Sequence, residues 1–183
     1  MQRSGQRAGL EFLDRSIVKG VNRHSPRTLD SGLHGLSVSA NKSLLWLGLA
    51  GGMAMFRGTP RNAALQGLVA LGTAAAVNGS LKVLLPFRTR PQQLPAFLSW
   101  APEYDGSSLP SGHSAAAGAF ATGVALASPA LGAVVVPLAA GVAYSRVHIG
   151  AHWPTDVVLG TALGIGAALL SRNWLKDLAG SRT

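Results

Sequence analysis

Three short clusters in the 183-residue sequence carry side chains that could do chemistry together. Lys82 is followed by Arg88 and by Arg90-Pro91. Pro110-Ser111-Gly112-His113 stands directly before a long uncharged stretch, and Ser145-Arg146 is followed by His152 and Asp156. Arginine forks match phosphate oxygens, and a lysine adds a point charge. Ser111 and Gly112 would offer backbone N–H groups at the start of a helix, where the helix dipole also favours an anion. Gly112, lacking Cβ, lets the backbone come close. His152 and Asp156 are four residues apart, so the carboxylate can reach the imidazole across one helical turn. That contact would fix the tautomer and support positive charge, leaving the other ring nitrogen as a nucleophile toward phosphorus. His113, on a different helix, could then protonate the leaving oxygen. Each piece alone has a plain reading, an ordinary helix start or a structural histidine. Their convergence on one place is what points to phosphoryl chemistry.

The composition says what must carry these residues. Charged residues make up 13% of the chain, hydrophobic residues 48%, and the mean hydropathy is +0.28. Soluble domains carry roughly 25% charged residues, so this chain has too few charges to clothe a soluble surface. The apolar fraction is too high for disorder. There is no cysteine, which removes disulfide scaffolds, thiolate metal sites and cysteine nucleophiles. The net charge of +9 admits nucleic acid, a membrane surface or an anionic substrate as partner. The placement of the charges decides among these. Residues 62–81, 114–145 and 157–171 contain no Asp, Glu, Lys, Arg or His, which is what a hydrocarbon environment selects. A polytopic, all-α membrane bundle is expected, with no role for nucleic acid.

Five spans are expected, at about Val38–Phe56, Asn62–Leu85, Ser111–Ser128, Ala130–Tyr144 and Pro154–Trp174. Lys42 in the first would snorkel to the interface. Pro154 suits the first turn of the last helix, and Gly160 and Gly164 form a small-xxx-small pair for close helix contact. Ser128-Pro129 turns the third and fourth spans into a hairpin, which brings the Lys82–His113 and Arg146–Asp156 regions to one membrane face. The chain then divides into a basic amphipathic segment (1–37), a transmembrane domain (38–175) and a short polar tail (176–183). In the first segment Leu10, Leu13, Ile17 and Val21 recur at helical spacing among basic residues, the pattern of a helix lying at lipid headgroups. A helix packed on the loops is the alternative. Charges interrupt what would be the apolar core of a cleavable leader. Residues 86–110 are polar, proline-rich and loop-like. His34 and His148 take a structural reading, and His24 a solvated one. Glu103 and Asp105 cap or orient the loop, and Trp46, Trp100, Trp153 and Trp174 suit an interfacial aromatic belt.

These motifs resemble those of the type-2 phosphatidic acid phosphatase superfamily, the integral-membrane lipid phosphate phosphatases. That family carries Lys, six residues, Arg-Pro; then Pro-Ser-Gly-His; then Ser-Arg, five residues, His, three residues, Asp. The second motif stands intact as Pro110 to His113, and the third as Ser145-Arg146, His152 and Asp156. The first has one extra residue, Lys82 being separated from Arg90-Pro91 by seven. Arg90 is favoured over Arg88 because the Arg-Pro pair is kept. The resemblance covers about Leu65 to Leu170, and the N-terminal 40 residues match less well. It implies that His152 forms a phosphohistidine, that Asp156 orients it, and that His113 acts as acid and then activates water. Lys82, Arg90, Ser111, Gly112 and Arg146 would hold the phosphoryl oxygens, with no metal or other cofactor.

The expected activity is therefore hydrolysis of a phosphate or diphosphate on a membrane lipid, in a bacterial cell membrane. A vanadate-dependent haloperoxidase shares such a site, but those relatives are soluble and larger. A non-catalytic lipid-phosphate binder would be expected to lose His113, His152 or Asp156, and all three stand. A polyprenyl-linked or a glycerolipid phosphate is the expected substrate. The compact loop after the second span argues against recognition of a large headgroup. Both ends of the chain are basic, and positive-inside counting leans only slightly to a cytoplasmic site.

Overall fold

The computed structural model describes residues 2–24, 27–91 and 106–180, with side chains over 9–21, 30–91 and 106–173. Among the described residues the regular secondary structure is all helical. Two N-terminal helices, α1 (Gln2–His24) and α2 (Arg27–Ser39), precede a short 3-10 turn over Asn41–Ser43. A bundle follows, made of α3 (Leu44–Ala54), α4 (Thr59–Leu84), α5 (Gly112–Ala127), α6 (Pro129–His148) and α7 (Pro154–Gly180).

The five apolar stretches all form helices, but they are not equal. Crossing about 30 Å of hydrocarbon takes about 20 residues at 1.5 Å per residue. Helices α4, α6 and α7 are long and apolar enough to do so. With 16 residues α5 is shorter, and α3 has 11. The expected first span at Val38–Phe56 is interrupted because Lys42 (φ 49°) and Ser43 (φ 61°) adopt left-handed backbone conformations. Non-glycine residues pay about 1 kcal/mol or more for that region, so the break is a specified feature. Helix α7 runs on to Gly180, into the expected polar tail.

Small residues let α5 sit at the centre. A Cβ on Gly160 would lie 2.4 Å from the Ser111 carbonyl oxygen, and one on Gly164 would lie 2.1 Å from that of Ala115. Both glycines are thus required where α7 crosses α5, as the small-xxx-small spacing predicts. Gly123 meets the backbone of Gln66 and Gly67 in the same way, closing α5 on α4. Ser128 caps α6 by accepting from the Leu131 N–H at 3.4 Å, and this hairpin returns α6 along α5. Trp46 is not interfacial: it is fully buried and packs on Phe120 with ring centroids 5.4 Å apart. Trp100 lies outside the described residues, as does the side chain of Trp174.

The N-terminal segment docks on the bundle by polar contacts. In α1, Asp14 and Val18 are buried while Leu10, Leu13 and Ile17 face outward. In α2, Asp30 accepts from His148 Nε2 at 2.7 Å, and Ser37 pairs with Arg146. The apolar stripe read from the sequence therefore points away from the protein, and the adjoining face of α1, which carries Asp14 and Val18, makes the contact.

Candidate active site

The loop segments on either side of the undescribed stretch are zipped together near the end of α4. Ser108 N–H donates to the Arg88 carbonyl (2.9 Å), Ser108 Oγ to the Thr89 carbonyl (3.2 Å), and Arg88 N–H to Ser107 Oγ (3.2 Å). Ser111 N–H donates to the Asp156 carbonyl at 3.1 Å, tying the start of α5 to the start of α7. Ser111 Oγ accepts from the backbone N–H and the hydroxyl of Ser114, capping α5. These contacts fix three separate motifs against one another.

Between them lies a cavity of about 310 Å³, lined by Lys82, Arg90, Gly112, His113, Arg146 and His152, and also by Ala40, Lys42, Ser43 and Ala116. Six of the eight residues singled out from the sequence thus share one space. The other two, Ser111 and Asp156, are completely buried behind it. A methyl on Gly112 would meet only Asn78 Nδ2, at 3.4 Å, so the protein leaves room there.

His152 has a defined tautomer. Its Nδ1 lies 2.7 Å from the Ser108 carbonyl oxygen, which can only accept, so Nδ1 carries the proton. Its Nε2 lies 3.2 Å from Arg90 Nη1, which can only donate, so Nε2 keeps its lone pair. Burial first, then the charges of Arg146 and Arg90, push the His152 pKa well below the usual imidazole value; the Ser108 hydrogen bond offsets this only in part. The ring is neutral, and its lone pair faces the cations.

The expected direct pairing of His152 with Asp156 is looser than the spacing suggested. Asp156 Oδ2 is 3.9 Å from Nδ1, while Ser108 holds the hydrogen-bonding position. Asp156 is engaged elsewhere. Its Oδ2 accepts from the Trp153 backbone N–H (3.0 Å), reaching back over the first turn of α7, and its Oδ1 accepts from Arg88 Nη1 (2.6 Å).

Arg88 and Arg90 have different surroundings. Arg90 donates to the Ala151 carbonyl (2.8 Å) and lines the cavity. Arg88 binds Asp156, Thr155 Oγ1 (2.7 Å) and Asp14 Oδ2 (2.5 Å), and it does not line that cavity. Burial opposes the charge on Arg88, but the two carboxylates outweigh it and raise its pKa further.

Sequence reasoning missed several residues here. Asp14 accepts from Arg88, from the Thr155 backbone N–H (3.0 Å) and from Thr155 Oγ1 (2.7 Å), so α1 supplies an acceptor to the open N-terminus of α7. The available signal was an acid one turn before Val18, at the edge of the apolar stripe. Asn41 Oδ1 lies 2.8 Å from His113 Nε2, and Lys42 reaches the cavity, both from the 3-10 turn. Nothing in the sequence marks that turn. His148 pairs with Asp30 and stacks near Tyr144, in keeping with its structural reading. Glu103 and Asp105 lie outside the described residues, as does the side chain of His24.

The family model of the PAP2 superfamily matches residues 63–179, which include every motif residue. The chain belongs to the PAP2 superfamily. Two curated relatives, lipid A 1-phosphatases of Rhizobium johnstonii and Rhizobium etli, are each 41% identical over 64 residues, 35% of this chain. The match spans about a quarter of their length, 26% and 28%. The crystal structure of a transmembrane PAP2-type phosphatidylglycerolphosphate phosphatase from Bacillus subtilis superposes with a TM-score of 0.69 at 26% identity, covering 92% of this chain and 87% of that one. That of Aquifex aeolicus LpxE gives a TM-score of 0.71 at 22% identity, covering 88% and 95%, a likeness of fold. The fold is that of the PAP2 membrane phosphatases, and the chain is an integral membrane protein.

Proposed function

We propose that this PAP2 chain hydrolyses a phosphate ester or diphosphate on a membrane lipid, without a metal, through a phosphohistidine at His152. The observation that carries the reading is the tautomer: an Nδ1 proton given to Ser108 leaves the Nε2 lone pair beside Arg90, on a cavity ringed by cations. A phosphate there would draw Arg90, Arg146, Lys82 and Lys42 onto its oxygens, with the N–H groups at the start of α5. Arg90 would then release Nε2 to attack phosphorus. The P–N bond forms as the P–O bond to the lipid breaks, and His113 gives its proton to the departing oxygen. Water, deprotonated by His113, next attacks phosphorus, the P–N bond breaks, and orthophosphate leaves. Fixed cations meeting charge on the phosphoryl oxygens are a large part of such catalysis.

The role of Asp156 in this reading is to anchor the start of α7 and, through its charge 3.9 Å from Nδ1, to favour the imidazolium that develops during attack. The same proposal places five helices in a bacterial cell membrane, α3 and α5 entering without crossing the full hydrocarbon thickness alone. Helix α1 then lies at the interface with Leu10, Leu13 and Ile17 toward lipid. The names of the relatives, lipid A 1-phosphatase and phosphatidylglycerolphosphate phosphatase, support a phosphorylated lipid as substrate class. The test is to quench turnover of a ³²P-labelled lipid phosphate with alkali. A base-stable, acid-labile label on the wild-type chain, absent from His152→Ala, is expected. Lipid-phosphate binding with neither label nor turnover would make the chain a binder.

A further inference from the structure

A second cavity, of about 450 Å³, opens beside the first. It is lined by Arg15, Val18 and Lys19 of α1, by Thr89, Arg90 and Pro91, and by Trp153. It is larger than the 310 Å³ cavity that holds His113 and His152, and the two share Arg90. Three cations and no carboxylate are among its described lining residues. Two described acids belong to a smaller cavity of about 110 Å³, lined by Glu11, Asp14, Arg15, Arg88, Thr89 and Trp153. There the charge of Asp14 is already met by Arg88 and Thr155. Among the described residues, no carboxylate forms an ion pair with Arg15 or Lys19.

The two α1 cations are placed, not merely exposed. Asp14 and Val18, four residues apart, are the buried docking face of the helix. Arg15 and Lys19 are their immediate successors, also four apart, so both stand on the same side and reach the same space. Asp14 holds this register by two hydrogen bonds from Thr155 at the start of α7 and one from Arg88. Like charges brought to one wall repel, at a cost that an anion between them removes.

We propose that this cavity is a second anion subsite, which receives a further phosphate of the substrate's own headgroup and selects lipids carrying two phosphates over lipids carrying one. Arg90 is the residue between the subsites, with one phosphate presented to His152 and the other lying against Arg15 and Lys19. The volume accommodates a glycerol- or sugar-sized group with its phosphate, where a single phosphate would leave most of it empty. The wall of this cavity is shared between α1 and the described start of the loop after α4, Thr89 to Pro91. This inference rests on the lipid-phosphatase reading, and it adds the class of headgroup.

The test compares matched acyl chains in neutral detergent micelles: phosphatidic acid, with one phosphate, and phosphatidylglycerophosphate, with two. The wild-type kcat/KM is expected to favour the second by about tenfold, since each added charge-assisted contact contributes about 1 kcal/mol or less at an accessible site. Arg15→Ser/Lys19→Ser should bring that ratio toward one, and Arg15→Glu/Lys19→Glu should push it below one. Calorimetry with soluble probes reads the subsite without turnover: glycerol bisphosphate should bind the wild type more tightly than inorganic phosphate, and the Ser/Ser variant should lose the difference. A ratio unmoved by either double substitution overturns the proposal. So does an equal loss for both lipids, which would mark Arg15 and Lys19 as general attraction to anionic surfaces. If neither lipid is hydrolysed while the calorimetric difference holds, the lipid-phosphatase reading has failed and the two-phosphate site has not.

Discussion

Asp14 and Arg88 are 74 residues apart in sequence and are joined by a 2.5 Å ion pair. Arg88 binds Asp156 with its other terminal nitrogen at 2.6 Å. A side chain of the N-terminal helix is therefore two contacts from the residue that anchors the first turn of α7. Asp14 is almost wholly buried, and Arg88 keeps about a quarter of its side chain exposed.

Asp14→Asn keeps the shape and removes the charge. Removing one partner of a buried pair costs about 3–5 kcal/mol, and the partial exposure of Arg88 places this case near the lower figure. A clear loss of melting temperature in detergent is expected, with lower turnover in the folded fraction because Arg88 and the start of α7 lose their anchor. Wild-type melting and wild-type turnover together would detach α1 from the site.

Arg90→Ala and Arg88→Ala should separate catalysis from architecture. Arg90 lines the cavity and contacts His152, so its loss should lower kcat/KM by about 100-fold with little change in melting. Arg88→Ala should lower melting first, leaving Asp14 and Asp156 buried without their shared cation. The reverse order of effects on turnover would place the first-motif arginine at Arg88.

Gly112→Ala should fold. The new methyl meets Asn78 Nδ2 at an ordinary 3.4 Å, and Gly112 is the first residue of α5, where the helix-interior preference for alanine is not in force. Its only cost is the cavity space that a phosphoryl group would fill. Turnover should fall by about tenfold or more, as small displacements at a reacting centre do, with unchanged melting. Retained turnover would put the phosphoryl group elsewhere in the cavity.

The burial of neutral His152 links stability to pH. An unfolded imidazole takes up a proton near pH 6.5, whereas burial and the charges of Arg146 and Arg90 hold the folded pKa well below that. Below about pH 6.5 the unfolded chain binds more protons at this position than the folded one, so stability is complete above that pH and falls as pH is lowered toward the folded pKa. Melting between about pH 7.5 and 5.5 should therefore drop more steeply for wild type than for His152→Gln. Parallel curves would mean that His152 is not held neutral.

The sequence made the bundle legible because helix crossings depend on local spacing. Gly160 and Gly164 announced the α5 and α7 contact, and Ser128-Pro129 the hairpin that aligns two motifs. The chemistry-bearing residues were legible for the same reason, standing at helix ends next to uncharged runs. What escaped is non-local. Ser108 takes the Nδ1 hydrogen bond expected of Asp156 because the loop segments around Arg88 and Ser108 pair across the intervening stretch, and four-residue spacing carries no information on that. Asn41 and Lys42 reach the site through two left-handed residues without glycine, which no pattern flags. Asp14 looked like one more charge on a surface helix. Its burial depends on α7 offering an open N-terminus one bundle layer away.

The role proposed for His152 is lipid phosphate hydrolysis without a metal. Its most direct test is phosphate release in detergent with excess EDTA, from phosphatidic acid, phosphatidylglycerophosphate and polyprenyl mono- and diphosphates, comparing wild type with a folded His152→Ala. EDTA-resistant release from at least one lipid is expected of the wild type, and none above background of the variant. Release that EDTA abolishes, or that His152→Ala retains, would contradict it.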